Sequence, residues 1–220
     1  MVGGQGSLKV KIGSNTLTDT SNNQNDEITL DTGINVSKNK AKIFNFYDSA
    51  FPDYSSWPKY YSDLLDNYYS DVTHSNNSTL DDIALGNFDL VFFNNDCWTV
   101  PTVANYIFSL GMNVLSVGND STSALDIISS AVTDSKVGNH KKVINNSLTY
   151  YLPDIIAGGE DNLNLIKFSE DVTVLYKNET NNIEYDSIGY MIKNGKTWLH
   201  SQYLSNYYII PMIQFALGQL

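Results

Sequence analysis

Apolar residues in this chain fall mostly in short runs, and the clearest of them sets the frame. Leu90-Val-Phe-Phe93 ends in the polar cluster Asn94-Asn-Asp-Cys-Trp98. Thr99 suits a helix cap, Pro101 a first helical turn and Gly111 a helix end, so residues 99–110 read as a helix. Met112–Val117 is a second apolar strand, closing on Gly118-Asn-Asp120. Two apolar strands joined by a helix require a parallel pairing and a crossover. An open parallel sheet carries its working loops at the carboxyl ends of its strands, so Asn94–Trp98 and Gly118–Ser123 are expected on one rim.

Upstream, Ala41–Tyr47 reads as a first strand. Trp57, Tyr60, Tyr61, Leu64, Leu65, Tyr68, Tyr69 and Val72 then recur at helical spacing, with Pro58 near the start. That aromatic stripe is read as core rather than as a ligand platform. Leu80–Leu85 is a short amphipathic turn or helix. Downstream, Ser121–Thr133 reads as a helix, Asp134–Asn146 as a polar connection, and Ser147–Gly159 as irregular. Leu163–Phe168 and Val172–Tyr176 read as antiparallel strands. Ser187–Ile192 and Lys196–His200 flank Asn194-Gly195, a strong hairpin signal. Ser205–Leu220 is apolar nearly all round and reads as a buried final helix, which Pro211 starts or kinks.

Residues 1–40 differ in pattern. Leu8–Ile12 alternates as a strand, Gly13-Ser-Asn15 marks a turn, and Glu27–Leu30 is another short strand. This is a β-rich arm, too small for a core of its own, that must pack on the main domain or on a partner. The expected fold is therefore α/β: a mostly parallel central sheet flanked by helices, with antiparallel additions toward the C-terminus. The expected division is an arm at 1–40 and an α/β domain at 41–220.

Charge narrows the partners. The net charge is −11, and none of the 13 cationic residues is Arg. Phosphate and base edges are read largely by Arg forks, so nucleic acid is not an expected partner. No run of about 18 apolar residues is present, so no membrane insertion is expected. Met1–Gly6 lacks the basic and apolar regions of a signal peptide. The single cysteine excludes an internal disulfide. His74, His140 and His200 show no metal-ligand spacing, the acidic residues no EF-hand spacing, and Gly3-Gly4-Gln-Gly6 precedes a strand rather than a helix. Neither a metal nor a cofactor is expected.

The order of elements over residues 41–220 resembles the class I glutamine amidotransferase-like superfamily, a flavodoxin-like α/β sandwich, and within it the trehalose-utilisation-type branch. Asp89–Asp96 is similar to that family's third-strand segment. Gly138-Asn-His140 followed by Leu152-Pro153 is similar to its His-Pro segment, and Ile188–His200 to its closing hairpin. The resemblance implies a nucleophilic Cys at a Gly-x-Cys-x-Gly elbow and a later His-x-Glu. Here the elbow position reads Ser116-Val-Gly-Asn-Asp120, with no Cys, and Ser116 lies inside the strand. The later motif reads His200-Ser-Gln202, with an amide in place of the acid, which cannot stabilise an imidazolium as a carboxylate does. Amidotransferase chemistry is therefore not expected.

Cys97 and His200 remain the catalytic candidates. Cys97 precedes the helix that begins near Thr99, a position that can lower a thiol pKa. The rim also collects Asp48, Phe51, Tyr54, Asn94, Asn95, Asp96, Trp98, Asn119, Asp120 and Gln202, a mixture suited to sugars or to a protein contact. The leading expectation is a non-catalytic structural or adhesive module of a phage virion (tail, fibre or surface attachment) or of a bacterial surface. It would contact other protein subunits through the arm. One alternative is a hydrolase or carbohydrate-processing enzyme using Cys97 or His200, which would be cytoplasmic. Another is a sugar-binding module with a glycan as partner.

Overall fold

The computed structural model describes residues 6–12, 28–36, 38–47, 56–75, 83, 86–94, 100–117, 128–134, 138–157, 163–180, 182–202 and 208–220. Its centre is the predicted strand–helix–strand unit: β5 (Leu90–Asn94), α2 (Val100–Ser109) and β6 (Asn113–Val117). Gly111, at φ +84°, ends the helical run, and its N–H bonds the Phe108 carbonyl at 3.0 Å. The two strands lie side by side in parallel, Phe92 opposite Leu115. On the other side of β5 lies β3 (Asn39–Tyr47), also parallel.

Alternate residues of these strands serve two cores, which is why the runs read as continuously apolar. Ile43, Leu90, Phe92 and Leu115 face one cluster, with Leu65 of α1 (Ser56–Tyr68) and Ile209 and Ile213 of α3 (Ile209–Ala216). Phe44, Val91, Phe93 and Val114 face the other, with Ala104 and Ile107 of α2. Pro211 lies in the first turn of α3, where a missing N–H costs nothing, so it starts the helix and does not kink it.

The helical face drawn through Val72 is corrected. The helix stops at Tyr68, and Tyr69–Ser75 is a strand, β4, lying parallel to β3 with Val72 opposite Ile43. Tyr69 and Val72 keep helical spacing, but pairing with β3, some thirty residues earlier, decides their conformation. Of Leu80–Leu85 the described residues include only Ile83, which is buried. The helix expected at Ser121–Thr133 is also corrected, because Ile128–Asp134 is a strand, β7. It pairs antiparallel with β10 (Leu163–Phe168), and Ile128, Val132 and Thr133 are β-branched residues that suit a strand.

The polar connection holds a short strand, β8 (His140–Lys142), and the irregular stretch holds a two-residue strand, β9 (Ile155–Ile156). Both enter the sheet through β11 (Thr173–Thr180), which pairs antiparallel with β8 and with β12 (Ile183–Lys193). Strands β10 and β11 are antiparallel to β12 rather than to each other. The hairpin forms as read: β12 turns into β13 (Lys196–Ser201) with positive φ at Asn194 and Gly195. Strand β13 then lies parallel to β6.

The result is an 11-stranded sheet in the order β4-β3-β5-β6-β13-β12-β11-β8-β9, with β10 and β7 attached at β12. It is parallel from β4 to β13 and antiparallel beyond. Among the described residues the protein is therefore an α/β fold dominated by a mixed sheet, with few helices, rather than a mostly parallel sheet between helical layers. The N-terminal segment forms a separate two-stranded antiparallel sheet, β1 (Gly6–Ile12) with β2 (Ile28–Val36).

Candidate functional site

The parallel half of the sheet brings four strand ends to one level. Tyr47 stands opposite Asn94, Phe93 opposite Ser116, Ser116 opposite His200, and Val117 opposite Ser201. Of the expected rim residues, Asn94 closes β5, and Gln202 follows β13 directly, buried, with its N–H on the Ser187 carbonyl at 2.9 Å. Asp48, Phe51, Tyr54, Asn95, Asp96, Cys97, Trp98, Asn119 and Asp120 lie outside the described residues.

Just beneath this rim is a buried polar chain that the sequence indicated only in pieces. Trp198 and His200 are two apart on β13 and so share a face, and Ser116 projects toward them from β6. The Trp198 Nε1–H donates to Ser116 Oγ at 2.8 Å, and Ser116 Oγ lies 2.9 Å from His200 Nδ1. An indole nitrogen can only donate, so Ser116 Oγ accepts there, and the direction of its bond with His200 Nδ1 follows the imidazole tautomer. Ser116 is 5% exposed and His200 1%. Burial holds His200 at a pKa of about 4, so the ring is neutral near pH 7.

The walls of this chain are apolar. Phe108 packs on Trp198 with ring centroids 5.5 Å apart, and Phe168 meets His200 edge-on at 6.0 Å. Phe168 occupies the space over Gly189, the residue opposite His200 on β12. A Cβ at Gly189 would lie 2.6 Å from the Phe168 ring and 2.9 Å from Val172 Cγ1. Phe168 has little room to yield, because its backbone N–H is fixed to Asp186 Oδ2 at 2.8 Å. Gly189→Ala is therefore expected to cost about 1–3 kcal/mol as overpacking, read as a lowered urea midpoint with an unchanged slope.

A second polar chain sits on the opposite face of the sheet. The Asn45 side-chain amide lies 3.3 Å from Ser62 Oγ and 3.0 Å from His74 Nδ1, and His74 Nε2 lies 3.1 Å from Asp66 Oδ1. An amide donor at Nδ1 leaves the ring proton on Nε2, facing the carboxylate. This chain ties α1 to the β3–β4 pair. The three histidines stand on β4, β8 and β13, which are not adjacent in the sheet. Among the described residues no group of three or more His, Cys, Asp or Glu side chains is placed to hold a metal ion. No helix among them is long and apolar enough to cross a membrane.

Sequence reasoning set Ser116 aside because it lies within a strand. That placement holds, and it is what aims the hydroxyl sideways at His200 rather than up at the rim. Trp198 was missed as a polar participant. The usable signal was the repeat of polar-capable residues at Trp198, His200 and Gln202 along one strand face.

No family model matches the chain, and no curated protein does. A solved carbohydrate deacetylase, Agd3, overlays with a TM-score of 0.48 at 7% sequence identity, covering 82% of this chain and 32% of the deacetylase. The chain thus spans about a third of that protein's length. A glutamine amidotransferase from Thermotoga maritima overlays with a TM-score of 0.42 at 7% identity, covering 76% of each chain. One of the two is of the class that the order of elements resembles. At these scores neither likeness carries an argument about family, activity or substrate.

Proposed function

We propose that this chain is a structural or adhesive module without catalytic chemistry of its own, attached to other subunits through its N-terminal hairpin. The setting proposed is a phage virion (tail, fibre or attachment part) or a bacterial surface. The observation that supports the reading is the engagement of the Ser116–His200 pair. A serine nucleophile needs its oxygen free to attack and its base backed by an orienting group. Here Ser116 Oγ takes the Trp198 N–H and is buried, and the residue two beyond His200 is the amide Gln202. The hairpin supports the second half of the reading, since a two-stranded sheet alone is marginal in water and gains from pairing with something larger.

Removal of residues 1–37 tests it. The shortened chain is expected to keep its circular dichroism and its cooperative unfolding while its mass by light scattering falls to that of a monomer. An assembly of unchanged stoichiometry overturns the reading.

A second reading is favoured by one distance, the 2.9 Å between Ser116 Oγ and His200 Nδ1, which suits a Ser–His dyad of a hydrolase. A serine-directed fluorophosphonate separates the two. The structural reading expects no adduct in the intact mass of the folded protein, and an adduct that Ser116→Ala abolishes would establish the dyad instead.

A further inference from the structure

Exposed apolar side chains are not spread evenly over this molecule. Among the described residues, five of the nine large ones open to solvent fall between positions 143 and 155: Val143, Ile144, Tyr150, Tyr151 and Ile155. Exposed apolar residues scattered singly need no explanation, but a concentration in one loop does. This loop joins β8 to β9 and is closed at its base, where the Lys142 N–H bonds the Asp154 carbonyl at 2.9 Å.

The loop's shape follows from its own residues. Leu148 and Leu152, four apart, are buried in the core with Tyr176 and Ile188, which turns Tyr150, midway between them, outward. The Tyr150 N–H bonds the Asn146 carbonyl at 3.1 Å and the Tyr151 N–H the Leu148 carbonyl at 2.9 Å. Asn146 and Thr149 brace each other, each backbone N–H donating to the other's side-chain oxygen, at 2.7 and 2.9 Å. The Tyr176 hydroxyl donates to the Pro153 carbonyl at 2.7 Å. A compact loop tied in this way meets its ordering cost in folding, so little of it falls on binding.

What the loop presents is a corner of two aromatic rings. Tyr150 is 84% exposed and Tyr151 50%, with ring centroids 5.4 Å apart and planes at 85°. Beside them, Lys142 Nζ lies 3.2 Å from the Thr149 carbonyl and 2.5 Å from Asp154 Oδ1. The Asp154 side chain is 85% exposed, so its carboxylate also meets solvent.

Charge and size select the occupant. The Lys142 ammonium beside the corner disfavours a cation, and the net charge of −11 disfavours a polyanion. A stable protein interface draws about 20–30 residues from each side. The apolar surface ends well short of that, because Ile155 stands opposite Lys141 on the β8–β9 ladder, and Lys141 pairs with Glu179 at 3.7 Å. A sugar ring fits what remains: its C–H face lies on an aromatic ring while its hydroxyls bond phenol and carboxylate oxygens. We propose that the Tyr150–Tyr151 corner binds one ring of an uncharged glycan, with Tyr150 as the stacking platform and Asp154 accepting a sugar hydroxyl. This rests on the adhesive half of the proposed function and names its ligand class and surface.

The test uses the full chain and immobilised neutral hexasaccharides of glucose, galactose, mannose, xylose and N-acetylglucosamine, read by surface plasmon resonance. At least one is expected to bind, and Tyr150→Ala to weaken it about tenfold. Tyr150→Phe keeps the ring and is expected to keep most of the affinity. Tyr106→Ala, at an exposed tyrosine on α2, is expected to change nothing. Unaltered urea midpoints verify that the variants fold. If no hexasaccharide binds, or Tyr150→Ala binds as the unaltered chain does, the sugar subsite is wrong, and a monomer on removal of residues 1–37 leaves the hairpin attachment standing. If Tyr150→Ala instead lowers the mass by light scattering and no sugar binds, the corner is a contact between copies and the proposal is overturned. If sugar binding needs Tyr150 but the chain without residues 1–37 still assembles, the subsite stands and the hairpin attachment is wrong.

Discussion

Acidification from pH 6.5 to 4 is expected to remove about 5 kcal/mol of folding stability. His140 and His200 are both fully enclosed, and burial holds each at a pKa of about 4 against an ordinary 6.5. Between those two values the unfolded chain binds a proton on each ring and the folded chain does not, so stability rises with pH through the window. The contribution is complete above 6.5 and is lost as pH falls through about 4. Over its whole titration each ring accounts for about 3 kcal/mol, because a tenfold change in proton affinity is worth about 1.4 kcal/mol. Urea unfolding at closely spaced pH values reads the effect as a slope approaching two protons near pH 5. His200→Gln is expected to halve that slope. A flat profile from pH 6.5 to 4.5 would show that the two rings are not held neutral.

The parts of the fold that sequence pattern disclosed are those whose determinants lie within a few residues. Strand β5, helix α2 and strand β6 follow one another with a first-turn Pro101 and a terminating Gly111, and each signal acts on its own neighbours. The β12–β13 hairpin is likewise written into Asn194-Gly195, the pair that accepts positive φ at both central positions. Strands β4 and β7 depart from their local pattern because their conformation is decided elsewhere. Tyr69 and Val72 continue a helical period, and only the parallel partner β3 makes that stretch extended. Residues 128–134 become a strand because β10, some thirty residues later, supplies the ladder.

The candidate site divides along the same line. His200 and Ser116 are each recognisable alone, but 84 residues separate them, and their meeting depends on β13 inserting beside β6. That insertion is a choice of sheet order, which local pattern does not encode. Their hydrogen bonding also involves Trp198, whose indole N–H donates to the serine oxygen. A tryptophan in an apolar strand reads as core until its nitrogen is placed.

Replacement of Trp198 by Ala is accordingly expected to cost about 4 kcal/mol, near the top of the range for single substitutions. Its side chain is among the largest fully buried ones, packed with Phe108 in the α2-side cluster, so removal leaves a void that rigid strands on both sides cannot close. Trp198→Phe keeps much of that volume but removes the Nε1–H, and about 2 kcal/mol is expected, the cost of a smaller void and of the lost bond to Ser116. The two contributions separate in a double-mutant cycle with Ser116→Ala, which deletes the acceptor. If Ser116 Oγ joins the indole to the imidazole in one chain, the pair of substitutions costs about 1 kcal/mol less than the separate costs added together, read from urea midpoints at pH 7. Strict additivity would mean that the serine and the indole act independently, and the buried chain would then have no energetic reality as a unit.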